Sequence, residues 1–137
     1  MKIASGVYKL SFGMPETITP VSVLKPDIQY GAINQLPEFE LPAAMQDIAF
    51  RERASGCLLE IPLDPKEDLY GLGLMLKSFR QTGLKKRLCA NSDPASDTGD
   101  SHAPVPFYLS TAGYGVLVDT ARYVSFHMGN HKVRGSK

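Results

Sequence analysis

Glycine and proline interrupt this chain at short intervals: 137 residues carry 12 glycines and 10 prolines. Both residues punctuate strands, so the chain favours many short strands joined by turns. The apolar residues between these breaks recur with period 2, the mark of a strand with two unlike faces. Tyr8, Leu10 and Phe12 alternate with Lys9 and Ser11, and Gly13-Met14-Pro15 ends that run. Ile48 and Phe50 alternate with Ala49 and Arg51, and Ala54-Ser55-Gly56 then turns the chain. Cys57, Leu59, Ile61 and Leu63 share one face of the next run, with Leu58, Glu60 and Pro62 on the other. This is the clearest hairpin of the N-terminal half, and Asp64-Pro65 closes it.

Elsewhere the pattern is less regular. Residues 17–23 are rich in β-branched side chains but contain Pro20, which predicts an edge strand or an extended connection. Residues 26–42 mix turn formers with short apolar pieces and predict no element. Residues 69–76 are apolar, but Gly71 and Gly73 would each cost a helix about 1 kcal/mol relative to Ala. A strand with a bulge or a close backbone approach is the better reading. Further strands are expected over 84–91, 107–110, 114–119 and 123–128, with a polar loop over 92–104. The sum is about eight strands and no convincing helix, in an all-β, antiparallel sandwich or barrel. A single domain is expected over 1–137, with the basic tail 131–137 frayed.

Composition excludes little beyond this. The chain is 43% hydrophobic and 21% charged with a net charge of +1, so nothing in its balance points to nucleic acid or an anionic membrane. Lys77, Arg80, Lys85, Lys86 and Arg87 form a basic stretch with only Phe79 between them. A nucleic-acid platform would interleave several aromatics, so solvated or edge-protecting side chains are expected. No run approaches the roughly 20 apolar residues of a membrane span. The first residues lack the apolar core of a secretion signal. A cytoplasmic protein is the default, and a chain trimmed of its own signal would read the same. Cys57 and Cys89 read as two separate thiols.

Few residues carry chemistry. In Asn91-Ser92-Asp93-Pro94, the Asn and Asp side chains offer acceptors for sugar hydroxyls, the carboxylate more strongly because its bonds are charge-assisted. Composition alone favours a plain Asx turn closed by Pro94. Asp93, Asp97 and Asp100 lack the spacing and the closing Glu of a calcium loop. Nothing among them would raise one carboxyl's pKa for glycosidase acid chemistry. Tyr70-Gly71-Leu72-Gly73 has neither the third glycine nor the helix of a phosphate loop. His102, His127 and His131 are scattered, and Ser110 lacks a nucleophile elbow. No catalytic residue, metal site or cofactor is expected. Phe107, Tyr108, Tyr114, Tyr123 and Phe126 read mostly as core or edge packing.

Four segments taken in order point further: Asp-Leu-Tyr-Gly-Leu-Gly from Asp68, Cys-Ala-Asn-Ser-Asp-Pro from Cys89, Val-Pro-Phe-Tyr-Leu-Ser from Val105, and Gly-Tyr-Gly-Val-Leu-Val-Asp from Gly113. Their order over residues 68–128 resembles the N-terminal β-sandwich domain of glycoside hydrolase family 31, the α-glucosidase and α-xylosidase family. The resemblance implies a supersandwich like that of galactose mutarotase. It also implies a parent α-glycosidase of retaining mechanism, whose nucleophile and acid sit on a (β/α)8 barrel that is not among these residues. This chain alone is then not a catalyst, and its partners are that barrel and, through it, an α-glycoside or oligosaccharide. In the family, an Asn-x-Asp loop reaches the mouth of the barrel's active site. That assigns substrate contact to Asp93, with Asn91 opening the loop. Two positions depart from the pattern: Leu74 stands where the family carries a Glu, and Ala95 where a hydroxyl side chain is common. Two other readings compete. One is a free-standing carbohydrate-binding module using Tyr108, Tyr114 and Asp93. The other is an interaction domain with an exposed apolar patch.

Overall fold

The computed structural model describes residues 1–14, 16–24 and 29–130. Over these residues the chain is all-β in class, with eleven short strands and three helices of four or five residues. The strand pairs are antiparallel with one exception, in keeping with the sandwich class that the alternation predicts. Two compact units are present, one over Met1–Leu63 and one beginning at Asp64. The expected frayed tail 131–137 lies outside the described residues.

The first unit opens with a ribbon of β1 (Lys2–Ala4) and β2 (Val7–Tyr8) around Gly6, whose φ of 65° suits a turn. The strand expected to run to Phe12 stops at Tyr8, whose hydroxyl donates to the Phe39 carbonyl at 2.7 Å. Phe12 instead stacks on Phe50, with ring centroids 5.6 Å apart. The edge strand expected over 17–23 is a short helix, α1 (Pro20–Leu24). The reason is local: Pro20 occupies the first helical position, where its missing N–H costs nothing. Thr19 and Ser22 cap the turn reciprocally, Thr19 N–H to Ser22 Oγ at 2.8 Å and Ser22 N–H to Thr19 Oγ1 at 3.2 Å. The one-turn helices α2 (Tyr30–Ile33) and α3 (Ala43–Gln46) follow. The predicted hairpin forms from β3 (Ala49–Arg53) and β4 (Gly56–Glu60), with Arg53 opposite Gly56. Its more exposed residues on β4 are Cys57 and Leu59, while Leu58 and Glu60 are half-buried and Arg51 pairs with Glu60 at 3.0 Å.

The second unit holds β5 (Leu69–Gly73), β6 (Lys85–Arg87), β7 (Cys89–Ala90), β8 (Asp100–Ser101), β9 (Pro104–Ser110), β10 (Tyr114–Leu117) and β11 (Ser125–His127). A three-stranded antiparallel sheet runs in the order β10-β9-β5, and β11 pairs with β6 as a separate ribbon. Tyr108 of β9 meets Phe126 of β11 edge-on at 6.2 Å, so sheet and ribbon share one core with Leu69, Leu72, Leu88 and Met128. The bulge expected at Gly71 and Gly73 is present, where the β5–β9 register shifts. Between the two glycines, Leu72 takes a φ of 69° and is completely buried. A Cβ on Gly73 would lie 2.2 Å from the Ala103 carbonyl oxygen, so only glycine fits.

β9 is apolar on both faces. Tyr108 points into the core, whereas Val105, Phe107 and Leu109 are exposed on the other side, 37–48% accessible. A strand that reads apolar on both sides is the kind found with layers on both faces.

Candidate functional site

The loop that carries Asn91 and Asp93 is held at its root by backbone. β7 and β8 pair in parallel, Cys89 beside Asp100 and Ala90 beside Ser101. The Arg87 N–H donates to the Thr98 carbonyl at 2.9 Å, and Asn91 N–H to Ser101 at 2.9 Å. Gly99 lies flat against Arg87: with φ at 119°, a Cβ there would come within 2.3 Å of the Arg87 oxygen. The chain therefore returns tightly on itself within nine residues. Parallel strands usually take a dozen or more to do so.

The three aspartates of this loop have three different roles. Asp100 receives a long bond, 3.5 Å, from the Asn91 amide. Asp97 is paired with Lys86, whose ammonium lies 2.6 Å from the Asp97 carboxylate and 2.8 Å from the Asp97 carbonyl oxygen. Asp93 is exposed, and its carboxylate has no hydrogen bond or ion pair among the described residues. Its backbone N–H donates to Asn91 Oδ1 at 3.0 Å, so the tip is an Asx turn. Asn91 and Asp93 are thus brought together, with Asn91 bracing the turn through its amide and Asp93 presenting an open carboxylate.

Lys86 corrects the expectation of a solvated basic stretch. It is 1% exposed, in the middle of β6, while Lys85 and Arg87 on either side are exposed. The signal was the strand period itself. Leu84, Lys86 and Leu88 are alternate residues, so Lys86 lies on the apolar face of its strand. Arg87, on the other face, sits 5.0 Å over the Tyr123 ring.

One carboxylate among the described residues is buried, and no sequence signal pointed to it. Glu67 is 7% exposed and accepts hydrogen bonds from the Ser110 and Tyr114 hydroxyls and, at 3.2 Å, from the Asp64 N–H. It staples the turn before β5 to β9 and β10, and each acceptor site in use offsets the cost of burying the charge. Burial pushes the Tyr108 hydroxyl up to about 12, with a smaller push from Glu67. Tyr114 is raised too, by burial first and then by its bond to Glu67. Tyr108 and Tyr114, the aromatics named for a sugar platform, are therefore core and core-edge residues.

The exposed aromatics among the described residues of this unit are Phe79, Phe107 and Tyr123, and Tyr70 is half-buried. Tyr70, Phe79 and Phe107, with Gly71, Gly73, Val105 and Leu109, line an open apolar cleft of about 280 Å³ on the outer face of the sheet. Tyr70 and Phe79 tilt against one another at 5.7 Å. Beside Tyr70, the Arg80 guanidinium holds the Asp68 carboxyl below its ordinary range through bonds of 2.7 and 2.9 Å. Cys57 and Cys89 are free thiols. Among the described residues no three His, Cys, Asp or Glu side chains group as metal ligands. His131 lies outside them. No helix among the described residues is long and apolar enough to cross a membrane.

No family model matches the chain. Curated proteins similar to part of it include two α-xylosidases. An α-xylosidase of Lactiplantibacillus pentosus, XylQ, is 36% identical over 67 residues, which is 49% of this chain and 9% of that protein. An α-xylosidase of Emericella nidulans is 32% identical over 88 residues, 64% of this chain and 11% of that protein. The chain spans about a tenth of the length of these relatives. Over that stretch it is related to glycosidases.

Proposed function

We propose that this chain is the non-catalytic N-terminal β-sandwich of a retaining α-glycosidase of glycoside hydrolase family 31, with the galactose-mutarotase-like supersandwich of that family. In this reading it packs on the catalytic barrel and lends it the loop of Asn91 and Asp93. The observation that carries the proposal is the open Asp93 carboxylate at the tip of a braced loop, in a chain similar to two α-xylosidases. A carboxylate without an internal partner keeps its acceptor sites for the hydroxyls of an α-glycoside or oligosaccharide. Asn91 holds the turn, so that the carboxylate meets the sugar at little ordering cost. Bond breaking belongs to carboxylates outside these residues, and this chain contributes binding.

The test is kinetic. In the assembled enzyme, Asp93→Ala should lower kcat/KM by at least about tenfold, the scale of one lost charge-assisted hydrogen bond. An unchanged kcat/KM on α-xylosides and α-glucosides would remove substrate contact from the proposal. A second reading, an interaction β-domain, is favoured by the outer face of β9, where Val105, Phe107 and Leu109 are exposed beside Leu117 of β10. Exposed apolar patches of this kind often mark contact surfaces. Concentration-dependent association of the chain on sizing, without any effect of sugars, would favour that reading.

A further inference from the structure

We infer that Lys86 is the positioning residue for the Asn91–Asp93 tip, acting through Asp97. This inference rests on the proposed role of that tip, and it concerns how the tip is held in place. A lysine that is 1% exposed has left water, and its charge is matched at one residue only among the described contacts: the Asp97 carboxylate at 2.6 Å and the Asp97 carbonyl at 2.8 Å. Two bonds to one residue fix both the side chain and the backbone of Asp97. Asp97 lies four residues beyond Asp93, on the returning limb of the loop. The other limb is fixed by the Asn91 N–H on Ser101, and the tip closes on Asn91 Oδ1. Lys86 itself is set in the β6–β11 ribbon opposite Phe126, whose ring lies in the core. The core thus reaches through one ammonium to the middle of an exposed polar loop.

An ion pair that only stabilised the fold would be dispensable, because apolar replacement of both members of a buried pair is often neutral or stabilising. Positioning makes a different demand: with both charges removed, the ribbon should stay folded while the tip loses its order. Amide exchange and backbone order parameters of the 137-residue chain separate the two. In the wild type, Asp93 should be ordered, and the Lys86 ammonium protons should exchange slowly enough to be observed. In Lys86→Met and in Lys86→Met/Asp97→Asn, the Asp93 order parameter should fall below about 0.6. Amide exchange at Asp93 and Arg87 should speed up by at least about tenfold, with Leu88 and Met128 unchanged, because local opening is independent of global unfolding.

Unchanged order at Asp93 in either folded variant overturns the inference. So does a wild type with a mobile tip or a freely exchanging Lys86 ammonium, and that measurement decides the matter if both variants unfold. Titration with methyl α-D-xylopyranoside separates this from the underlying reading. A wild type with an ordered tip whose Asp93 signal ignores the sugar counts against substrate contact and leaves the role of Lys86 to the exchange data. A sugar response at Asp93 that is lost in the folded variants supports both.

Discussion

The two units differ in what their alternation is used for. In the second unit, Leu69, Leu72, Leu88, Tyr108, Phe126 and Met128 are buried together, and Glu67, Gln81, Lys86, Ser101 and Ser110 are buried around them. In the first unit only Met45 among the described residues reaches that degree of burial, while Ile3, Val21, Val23, Leu24, Tyr30, Leu36 and Phe39 stand exposed. Its contacts are of another kind: two two-stranded ribbons, three single-turn helices and peripheral bonds such as Lys2 to Glu38 and Ser5 to the Leu36 and Pro37 carbonyls. Isolated two-stranded ribbons are marginal in water. Strand pattern alone therefore does not make a core. The candidate loop belongs to the unit in which strands from different sheets meet, and among the described residues the buried lysine, Lys86, lies there.

Several measurements would break or sharpen this contrast. The largest effect is expected at glycines. Gly73→Ala drives a Cβ into the Ala103 backbone at a φ of 84°, so the variant should fail to fold or lose several kcal/mol in denaturant. Gly56→Ala, in the first unit's hairpin, meets nothing within 4 Å and bears only the strain of its φ of 139°, on the order of 1–2 kcal/mol. Equal losses at the two sites would erase the distinction.

Core truncation comes next. Leu72→Ala should cost about 2–5 kcal/mol, since Leu72 is wholly buried, against less than about 1 kcal/mol for Leu59→Ala at 39% exposure. Similar midpoints in a urea series would show that the first unit is better packed than its exposure implies.

Alkaline pH should act on the second unit. Tyr108 has a folded pKa raised to about 12 from 10.0, so folding favours its neutral form. Its contribution is therefore fully present below pH 10 and is lost as pH rises towards 12; Tyr114 is shifted in the same direction. Thermal melts from pH 9 to 12 should fall most steeply above 10, and Tyr108→Phe should flatten that fall. The smallest effect is at Asp93. Asp93→Ala removes an exposed carboxylate with no partner among the described residues, so stability should stay within about 0.5 kcal/mol. A large loss would mean that the carboxylate serves the fold.

Much of the local structure was legible. The hairpin of β3 and β4 follows from period 2 around Ala54-Ser55-Gly56, and the bulge of β5 follows from two glycines in an apolar run. The Asx turn at Asn91 was the plain reading of Asn-Ser-Asp-Pro, and it is what forms. The helix α1 was misread because β-branched residues outweighed the Thr-Pro-Val-Ser signal, which was present but short. The reading of the aromatics as mostly core or edge packing fits Tyr108 and Phe126, but period 2 tells that two faces differ and not which one is covered, so it does not single out Phe107 as exposed. Tyr108 and Phe107 are neighbours on β9, yet one is buried and the other exposed.

By itself the sequence determined the class of fold, because glycine, proline and side-chain alternation act through each residue's own backbone and its immediate neighbours. It also placed the Asx turn that carries the exposed Asp93. Tertiary structure alone decided which charges are free and which are held. Lys86 and Asp97 are eleven residues apart in the chain and meet only because β6 lies in a ribbon beneath the returning loop, and Glu67 meets Ser110 and Tyr114 across more than forty. Those pairings depend on strands brought together by burial of a common core, and no local pattern encodes that distance.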